Sequence, residues 1–168
     1  PLINFDLIIA TGSNNSSRYF ESYFGKYRNI IRKNRNSVAI LTGSETSDEL
    51  RSLGDDIFSY FGLGCRNISK LYVPDGYNIS VLTERWKSFS HIVRHSKYAS
   101  NYDFNKAIFL VNKDKFIDPG FVLIRENHEL SSPVAVLYYE HFRSFDQVKK
   151  MTDELKNKLQ CITGRNHL

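Results

Sequence analysis

Short apolar segments alternate with amphipathic helical patterns along the whole of this 168-residue chain. Residues 6–10 are a short apolar run, residues 37–41 are a second candidate for a buried strand, and residues 68–73 are a third candidate strand; patterns of helical period lie between them. No linker, low-complexity stretch or internal repeat interrupts the alternation. Strands separated by helices predict an α/β fold with a largely parallel sheet. The remaining candidate strands are residues 121–124, 134–139 and 159–163.

Capping signals indicate where two of the helices begin. Thr46 and Glu49 form a T-x-x-E capping box, and Ser144 with Gln147 is predicted to cap the last helix. The side chains of the first helix predicted to face inward are Leu50, Leu53, Ile57 and Tyr60. Those of the last helix are Phe145, Val148, Met151 and Leu155. The other predicted helices are residues 20–24, ending at Gly25, a long helix over 82–93, and 97–111.

The composition is that of a globular protein that does not span a membrane. Hydrophobic residues make up 41% of the chain, and no apolar run approaches the 18 residues that a membrane-spanning helix needs. The first residues lack the basic and apolar regions of a signal peptide. Cys65 and Cys161 are too few for a disulfide scaffold and have no zinc-site spacing. We therefore expect a soluble, cytoplasmic protein.

The net charge of +5 raises the question of an acidic partner. One basic cluster stands out, formed by Lys26, Arg28, Arg32, Lys33 and Arg35 with no acidic residue among them. A solvated strand edge, a docking surface for a phosphate-bearing ligand and a nucleic-acid contact all fit such a cluster. No zinc finger, helix-turn-helix or RNA-binding aromatic pattern accompanies it, so no nucleic acid is expected.

Cys65 is the most informative single position in the sequence. It follows Gly62 and Gly64, which interrupt the preceding helical pattern and allow close backbone approach. A thiolate in such a loop is a strong nucleophile and a good acyl carrier. The alternative is a buried, inert cysteine, and this is the interpretation we favour for Cys161 inside its apolar strand.

Two other patterns carry weaker signals. His91 and His95 are spaced to share one helix face, but no glutamate completes an H-E-x-x-H zinc motif, which favours a solvated face and no metal site. Thr11, Gly12 and Ser13 lie between a predicted strand and a predicted helix. Backbone N–H groups at such a helix start can bind a phosphate.

Taken in order, these pieces resemble the aldehyde dehydrogenase superfamily, and within it the acyl-CoA reductase branch that includes the LuxC proteins. In the superfamily's T-G-S turn, the positions matching Gly12 and Ser13 face the cofactor pyrophosphate. The superfamily's G-Q-x-C nucleophile loop is similar to residues 62–65, so the resemblance implies that Cys65 is the nucleophile. Glu129 matches the glutamate of E-x-F-G-P-V that holds the nicotinamide ribose, with Ser131 and Ser132 in place of Phe and Gly. The stretches that carry the resemblance are residues 10–14, 57–67, 101–106 and 130–139.

One departure from the superfamily pattern bears on the reaction. Hydrolytic members carry a glutamate just before the strand that resembles residues 37–41, and this residue activates the deacylating water. The matching stretch here, residues 31–35, has no carboxylate. Water attack on an acyl-cysteine is then slow, and the intermediate survives for attack by hydride or thiol. This departure fits a thioester reductase better than an aldehyde oxidase, but it does not set the direction of the reaction. The resemblance to the acyl-CoA reductase branch is what implies reduction of a long-chain acyl-CoA to an aldehyde.

The resemblance also implies a domain layout and a set of partners. Residues 1–25 match the end of a dinucleotide-binding domain, and residues 26–168 match a catalytic domain with a three-layer, mostly parallel sheet flanked by helices. We expect NADPH as cofactor and acyl-CoA or an acyl carrier as substrate. A preceding dinucleotide-binding domain and assembly into a homo-oligomer are expected as well. The alternatives are an acylating aldehyde dehydrogenase running towards acyl-CoA and a non-catalytic basic binding module.

Overall fold

The computed structural model describes residues 5–12 and 14–165 of the chain. The chain divides into two compact units, residues 1–35 and residues 36–168. No helix among the described residues is long and apolar enough to cross a membrane.

The first unit is a strand, a helix and a second, parallel strand. These elements are β1 (Ile8–Gly12), α1 (Asn14–Phe24) and β2 (Asn29–Lys33). Gly25 closes the helix, as predicted, by donating its N–H to the Glu21 carbonyl at 2.9 Å. Strand β2 was not among the predicted strands, although a solvated strand edge was one interpretation of the basic cluster to which its Arg32 and Lys33 belong. Its apolar segment is short and only partly buried.

The second unit is a five-stranded sheet with the order β5-β6-β4-β3-β7, in which every pair of neighbouring strands is parallel. Helices cover both of its faces, so the three-layer α/β architecture predicted from the sequence is confirmed. Its strands are β3 (Asn36–Ile40), β4 (Ile68–Pro74), β5 (Leu123–Glu126), β6 (Val136–Phe142) and β7 (Leu159–Gly164). Its helices are α2 (Ser47–Phe58), α3 (Ser80–Arg85), α4 (Ser96–Val111) and α5 (Phe145–Glu154).

The side chains of β3 show how the sheet divides the hydrophobic core. Val38 and Ile40 join a smaller cluster that includes Val148 of α5. Ala39 joins the larger cluster, to which α2, α3 and α4 contribute. Because successive side chains of a strand point to opposite faces, one apolar strand contributes to both clusters, and this explains the unbroken apolar run at residues 38–41.

Trp86 lies at the centre of the larger cluster and explains an error in the sequence prediction. Its side chain is fully buried and its indole N–H donates to the Leu50 carbonyl at 2.7 Å. The long helix predicted over 82–93 is wrong, because α3 ends at Arg85 and a 3₁₀ segment follows over Lys87–Arg94. A 3₁₀ turn brings every third residue to one face, and this places Phe89 and Ile92 against the core with Trp86.

Both predicted helix caps are present. The Thr46 and Glu49 side chains and backbones form the reciprocal capping box of α2, and Ser144 Oγ accepts from the Gln147 N–H. Hydrogen bonds from Arg165 and Thr46 lower the pKa of Glu49 to about 2. The prediction that Phe145 is buried is wrong, since it is 46% exposed at the first position of α5.

Candidate active site around Cys65

The chain between α2 and β4 is held in an unusual backbone conformation. After α2 ends at Phe58, Tyr60 and Phe61 adopt the left-handed conformation, with φ of 51° and 61°, and Gly62 follows with φ of 71°. Left-handed non-glycine residues cost roughly 1–3 kcal/mol each and concentrate at functional sites. Tyr60 was predicted to face inward on a longer helix, but the helix ends before it and its side chain is 84% exposed.

Cys65 occupies a central position of the turn that follows. The turn runs from Gly64 to Asn67 and is closed by the Asn67 N–H, which donates to the Gly64 carbonyl at 2.9 Å. The Cys65 side chain is exposed, which differs from the buried cysteine of the alternative interpretation. Within residues 5–12 and 14–165, the N–H groups of Cys65 and Arg66 have no acceptor, as is usual at the two central positions of a β-turn.

Asn67 holds this turn in place, a role that the sequence did not reveal. Its Oδ1 accepts from the Gly64 N–H at 2.8 Å, and its Nδ2 donates to the Asp56 carbonyl at 2.9 Å. A Cβ on Gly64 would lie 2.7 Å from the Asn67 Oδ1, so only glycine fits at that position without a shift. Ser37 adds a further hydrogen bond from its hydroxyl to the Cys65 carbonyl at 2.8 Å.

Replacing Asn67 by alanine is expected to destabilise the protein by about 1–3 kcal/mol, because the Gly64 N–H and the Asp56 carbonyl lose their partner. The rate at which iodoacetamide alkylates Cys65 should change in the same variant. Urea denaturation and timed alkylation measure the two effects. Asn101→Ala is the matched control, since it removes an exposed amide hydrogen bond on α4. Equal losses in the two variants would contradict the role given to Asn67.

The segment that follows Glu129 and the segment that precedes Cys65 line the same small cavity. This cavity has a volume of about 30 Å³, enough for roughly two water molecules and too small for a nicotinamide ring. Glu129 and Cys65 do not line the cavity. The segments that carry them do reach it, through Ser132 and Gly62, so the structure brings the two segments together but not the two side chains. Residues of its lining include Phe61, Gly62, Tyr98, Ser132, Pro133 and Val134.

Two side chains of α4 lie at or next to this cavity, and the sequence assigned a role to neither: Tyr98 lines it, and Asn105 hydrogen-bonds to Val134 of its lining. Tyr98 donates its hydroxyl to the Phe121 carbonyl at 2.9 Å, and burial raises its pKa, so the phenol stays neutral at physiological pH. Asn105 is buried and donates to the Val134 carbonyl at 3.0 Å. It belongs to the N-Y-D-F-N-K stretch, whose resemblance was noted without a role for this residue.

Glu129 lies in the loop between β5 and β6 with its side chain exposed to solvent. Its N–H donates to Asn127 Oδ1 at 2.8 Å. Its carboxylate forms no hydrogen bond or ion pair with any residue that the structure describes, so it is free to accept hydrogen bonds from a ligand.

In the first unit, Gly12 ends β1 immediately before α1. A Cβ at Gly12 would lie 2.8 Å from the Ser16 Cβ, so glycine is what allows the strand end to approach the helix start. Ser13, the other residue of the predicted phosphate turn, lies outside the described residues.

The histidine pair does not share a helix face. His91 lies in the 3₁₀ segment with its Nδ1 2.9 Å from the Ser88 carbonyl oxygen, whereas His95 occupies the N-cap position of α4 and its ring is tilted against the Phe61 ring, with the centroids 4.3 Å apart. Over residues 5–12 and 14–165, no three side chains of His, Cys, Asp and Glu gather into a group that could hold a metal ion.

Comparison with known proteins finds similarity at the level of fold. No protein-family model matches the sequence, and no curated protein matches it. Three solved aldehyde dehydrogenases match 95–96% of this chain at 9–10% sequence identity. They are the indole-3-acetaldehyde dehydrogenase of P. syringae with a TM-score of 0.70, KauB of Pseudomonas aeruginosa with 0.68 and the betaine aldehyde dehydrogenase of Staphylococcus aureus with 0.65.

These matches show that the chain has a fold found in aldehyde dehydrogenases, as the resemblance implied. The chain spans less than half of each matched structure, 45% of the first two and 43% of the third. The P. syringae and S. aureus structures were determined in complex with NAD⁺.

Proposed function

We propose that this chain is the cysteine-bearing part of an NADPH-dependent reductase that converts a long-chain acyl-CoA to an aldehyde through an acyl-cysteine. The observation that supports this most is the exposed Cys65 at the tip of a turn whose N–H groups at 65 and 66 are unused by the described residues. A carbonyl oxygen that becomes negatively charged during attack by the thiolate can be stabilised by such N–H groups.

The chemistry assigned to Cys65 has two steps. In the first, the thiolate attacks the thioester carbonyl carbon, the new C–S bond forms, and the C–S bond to CoA breaks to release the CoA thiolate. In the second, the acyl-cysteine is reduced, and the Cys65 thiolate leaves as the aldehyde forms. A reduced nicotinamide, when bound, supplies the hydride for the second step. The backbone N–H of Cys65 is proposed to donate to the developing oxyanion in both steps.

Three residues of this chain are proposed to hold the cofactor. Gly12 brings the end of β1 against the start of α1, and a helix N-terminus there favours a pyrophosphate. Ser13 is proposed as its neighbour in the same turn. The unpaired carboxylate of Glu129 can accept hydrogen bonds from ribose hydroxyls. The preference for NADPH over NADH comes from the resemblance.

Reduction is favoured over hydrolysis by what residues 31–35 contain. This stretch comprises the end of β2 and the two residues after it, and it has no carboxylate. Without a general base at that position, water is a poor nucleophile towards an acyl-cysteine.

We propose further that residues 1–25 belong to a dinucleotide-binding domain and residues 26–168 to the catalytic domain of a longer enzyme. The second donor to the oxyanion, together with most of the cofactor site, would then lie outside this chain.

The proposed function is tested with the complete enzyme and a long-chain acyl-CoA labelled in the acyl group. The label should become attached to the protein, and NADPH should then release it as aldehyde. The isolated 168-residue chain is the control, and it should show no turnover. A protein that turns over aldehyde, NADP⁺ and CoA but does not reduce acyl-CoA would contradict the proposed direction. Absence of acylation would contradict the mechanism.

A further inference from the structure

The loop that carries Glu129 is tied to β4, the strand that begins three residues after Cys65. We propose that Ser69 and Lys70 of β4 are positioning residues that hold the backbone on either side of Glu129 relative to Cys65. This inference rests on the proposed function, because it assigns Glu129 to the cofactor ribose. Neither residue is proposed to touch the substrate.

Two hydrogen bonds from adjacent residues of β4 flank Glu129. Ser69 Oγ donates to the Leu130 carbonyl at 2.9 Å, and Lys70 Nζ donates to the His128 carbonyl at 2.9 Å. The carbonyls on both sides of Glu129 are therefore held by one strand. Strand β4 lies in the interior of the sheet and pairs with β3 and β6, so it is a rigid support.

Lys70 belongs to a buried charged network. Its side chain is 1% exposed and forms an ion pair with Glu140 of β6. The other oxygen of Glu140 lies 2.8 Å from Nδ1 of His128. A buried ammonium must have nearly all of its hydrogen bonds satisfied, and here one goes to the backbone of the Glu129 loop. The conformation of the loop is thereby coupled to a charge pair that the fold cannot easily rearrange.

The two ends of the same loop are held by other hydrogen bonds. Asn105 of α4 donates to the Val134 carbonyl, and the Asn127 N–H donates to the Tyr139 carbonyl of β6 at 3.0 Å. The loop is thus held at its start, at its end and on both sides of Glu129, while the Glu129 carboxylate itself has no partner among the described residues. A loop held firmly around one free carboxylate is suited to presenting that group to a ligand.

Ser69 and Lys70, with their hydrogen bonds to the two carbonyls that flank Glu129, are here called the clamp. Cys65 and these two residues lie on one short stretch of chain, so β4 sets the distance from the nucleophile to the Glu129 backbone. Loosening the clamp should disturb the cofactor-dependent step and leave transfer of the acyl group to Cys65 unaffected. A residue with a general structural role would instead impair both steps together.

Ser69→Ala in the complete enzyme tests the clamp. The KM for NADPH should rise about fivefold, which is the equilibrium factor of one typical hydrogen bond, and the rate of Cys65 acylation should stay within about twofold of wild type. Ser69→Thr keeps the hydroxyl and should restore the wild-type KM. Thr83→Ala is the matched control, since it removes a hydroxyl-to-carbonyl bond on α3. An equal fall of acylation and reduction in Ser69→Ala would overturn the proposal.

Two further variants test how the clamp acts. In a Glu129→Gln background, Ser69→Ala should add little to the loss of NADPH affinity, because its effect passes through Glu129. Fully additive losses would overturn the proposal. Lys70→Met combined with Glu140→Leu leaves no buried charge unpaired. It removes both the bond from Lys70 to the His128 carbonyl and the contact of Glu140 with the His128 imidazole, and it should reproduce the Ser69→Ala pattern.

Hydrogen exchange separates a failure of the clamp from a failure of the proposed function. The amides of residues 128–131 should exchange faster in Ser69→Ala than in wild type or Thr83→Ala, and this measurement needs neither substrate nor cofactor. Unchanged exchange there would overturn the clamp. Absence of acylation in the wild-type enzyme would overturn the proposed function, whatever the exchange shows.

Discussion

Replacing Cys65 by alanine in the complete enzyme is expected to abolish labelling by acyl-CoA, a loss on the order of 10³-fold or more. The proposed intermediate is a thioester on this sulfur, and alanine offers no nucleophile in its place. Cys65→Ser should also acylate very slowly, because an unactivated hydroxyl is a far poorer nucleophile near neutral pH than a thiolate. Transfer of radiolabel to the protein, measured over time at saturating acyl-CoA, gives the rates.

Cys161→Ser is the matched control for this experiment. Cys161 lies half-buried in β7, and its substitution should change little beyond local packing. The urea midpoints of all three variants should be measured alongside, so that a loss of labelling is not confused with unfolding. Labelling of Cys65→Ala at the wild-type rate would show that the acyl group is carried elsewhere.

Glu129→Gln is expected to slow the NADPH-dependent release of the acyl group by about tenfold to a hundredfold, while acylation of Cys65 stays within about twofold of wild type. The reason is that a carboxylate accepts charge-assisted hydrogen bonds from ribose hydroxyls, and each is worth about 1.5–3 kcal/mol. Single-turnover experiments measure the two steps separately: first loading with labelled acyl-CoA alone, then release after NADPH is added.

Glu126→Gln provides the matched control, since Glu126 is an exposed carboxylate at the end of β5, three residues before Glu129 in the sequence. It should leave both steps unchanged. If Glu129→Gln slowed acylation and release equally, Glu129 would have a structural role and the cofactor assignment would be wrong.

Features that depend on neighbouring residues were predicted well. The capping box of Thr46 and Glu49 and the Ser144 cap join groups three residues apart, so the pattern that reveals them is the contact itself. The five strands of the sheet were also predicted, with ends shifted by up to three residues, because a parallel sheet covered on both faces requires apolar runs.

Features that depend on packing were predicted less well. The segment after Leu82 has a helical pattern, but its apolar positions at 86, 89 and 92 also fit a 3₁₀ period, and packing around Trp86 selected that alternative. Tyr60 continues the apolar stripe of α2, yet the chain turns before it into left-handed backbone. The sequence left the basic cluster around β2 open, with a solvated strand edge as one of three interpretations, because its short apolar segment becomes a strand only by pairing with β1.

For the candidate site, the sequence by itself determined which cysteine lies in a glycine-rich turn, since Gly62 and Gly64 stand beside Cys65 in the chain. Only the tertiary structure decided what holds that turn and the Glu129 loop in place. The hydrogen bond from Ser37 to Cys65 spans 28 residues, and the one from Ser69 to Leu130 spans 61. Such bonds form between residues that the order of the parallel strands brings together. They cannot be predicted from local residue patterns, because these patterns do not show which strands will be neighbours.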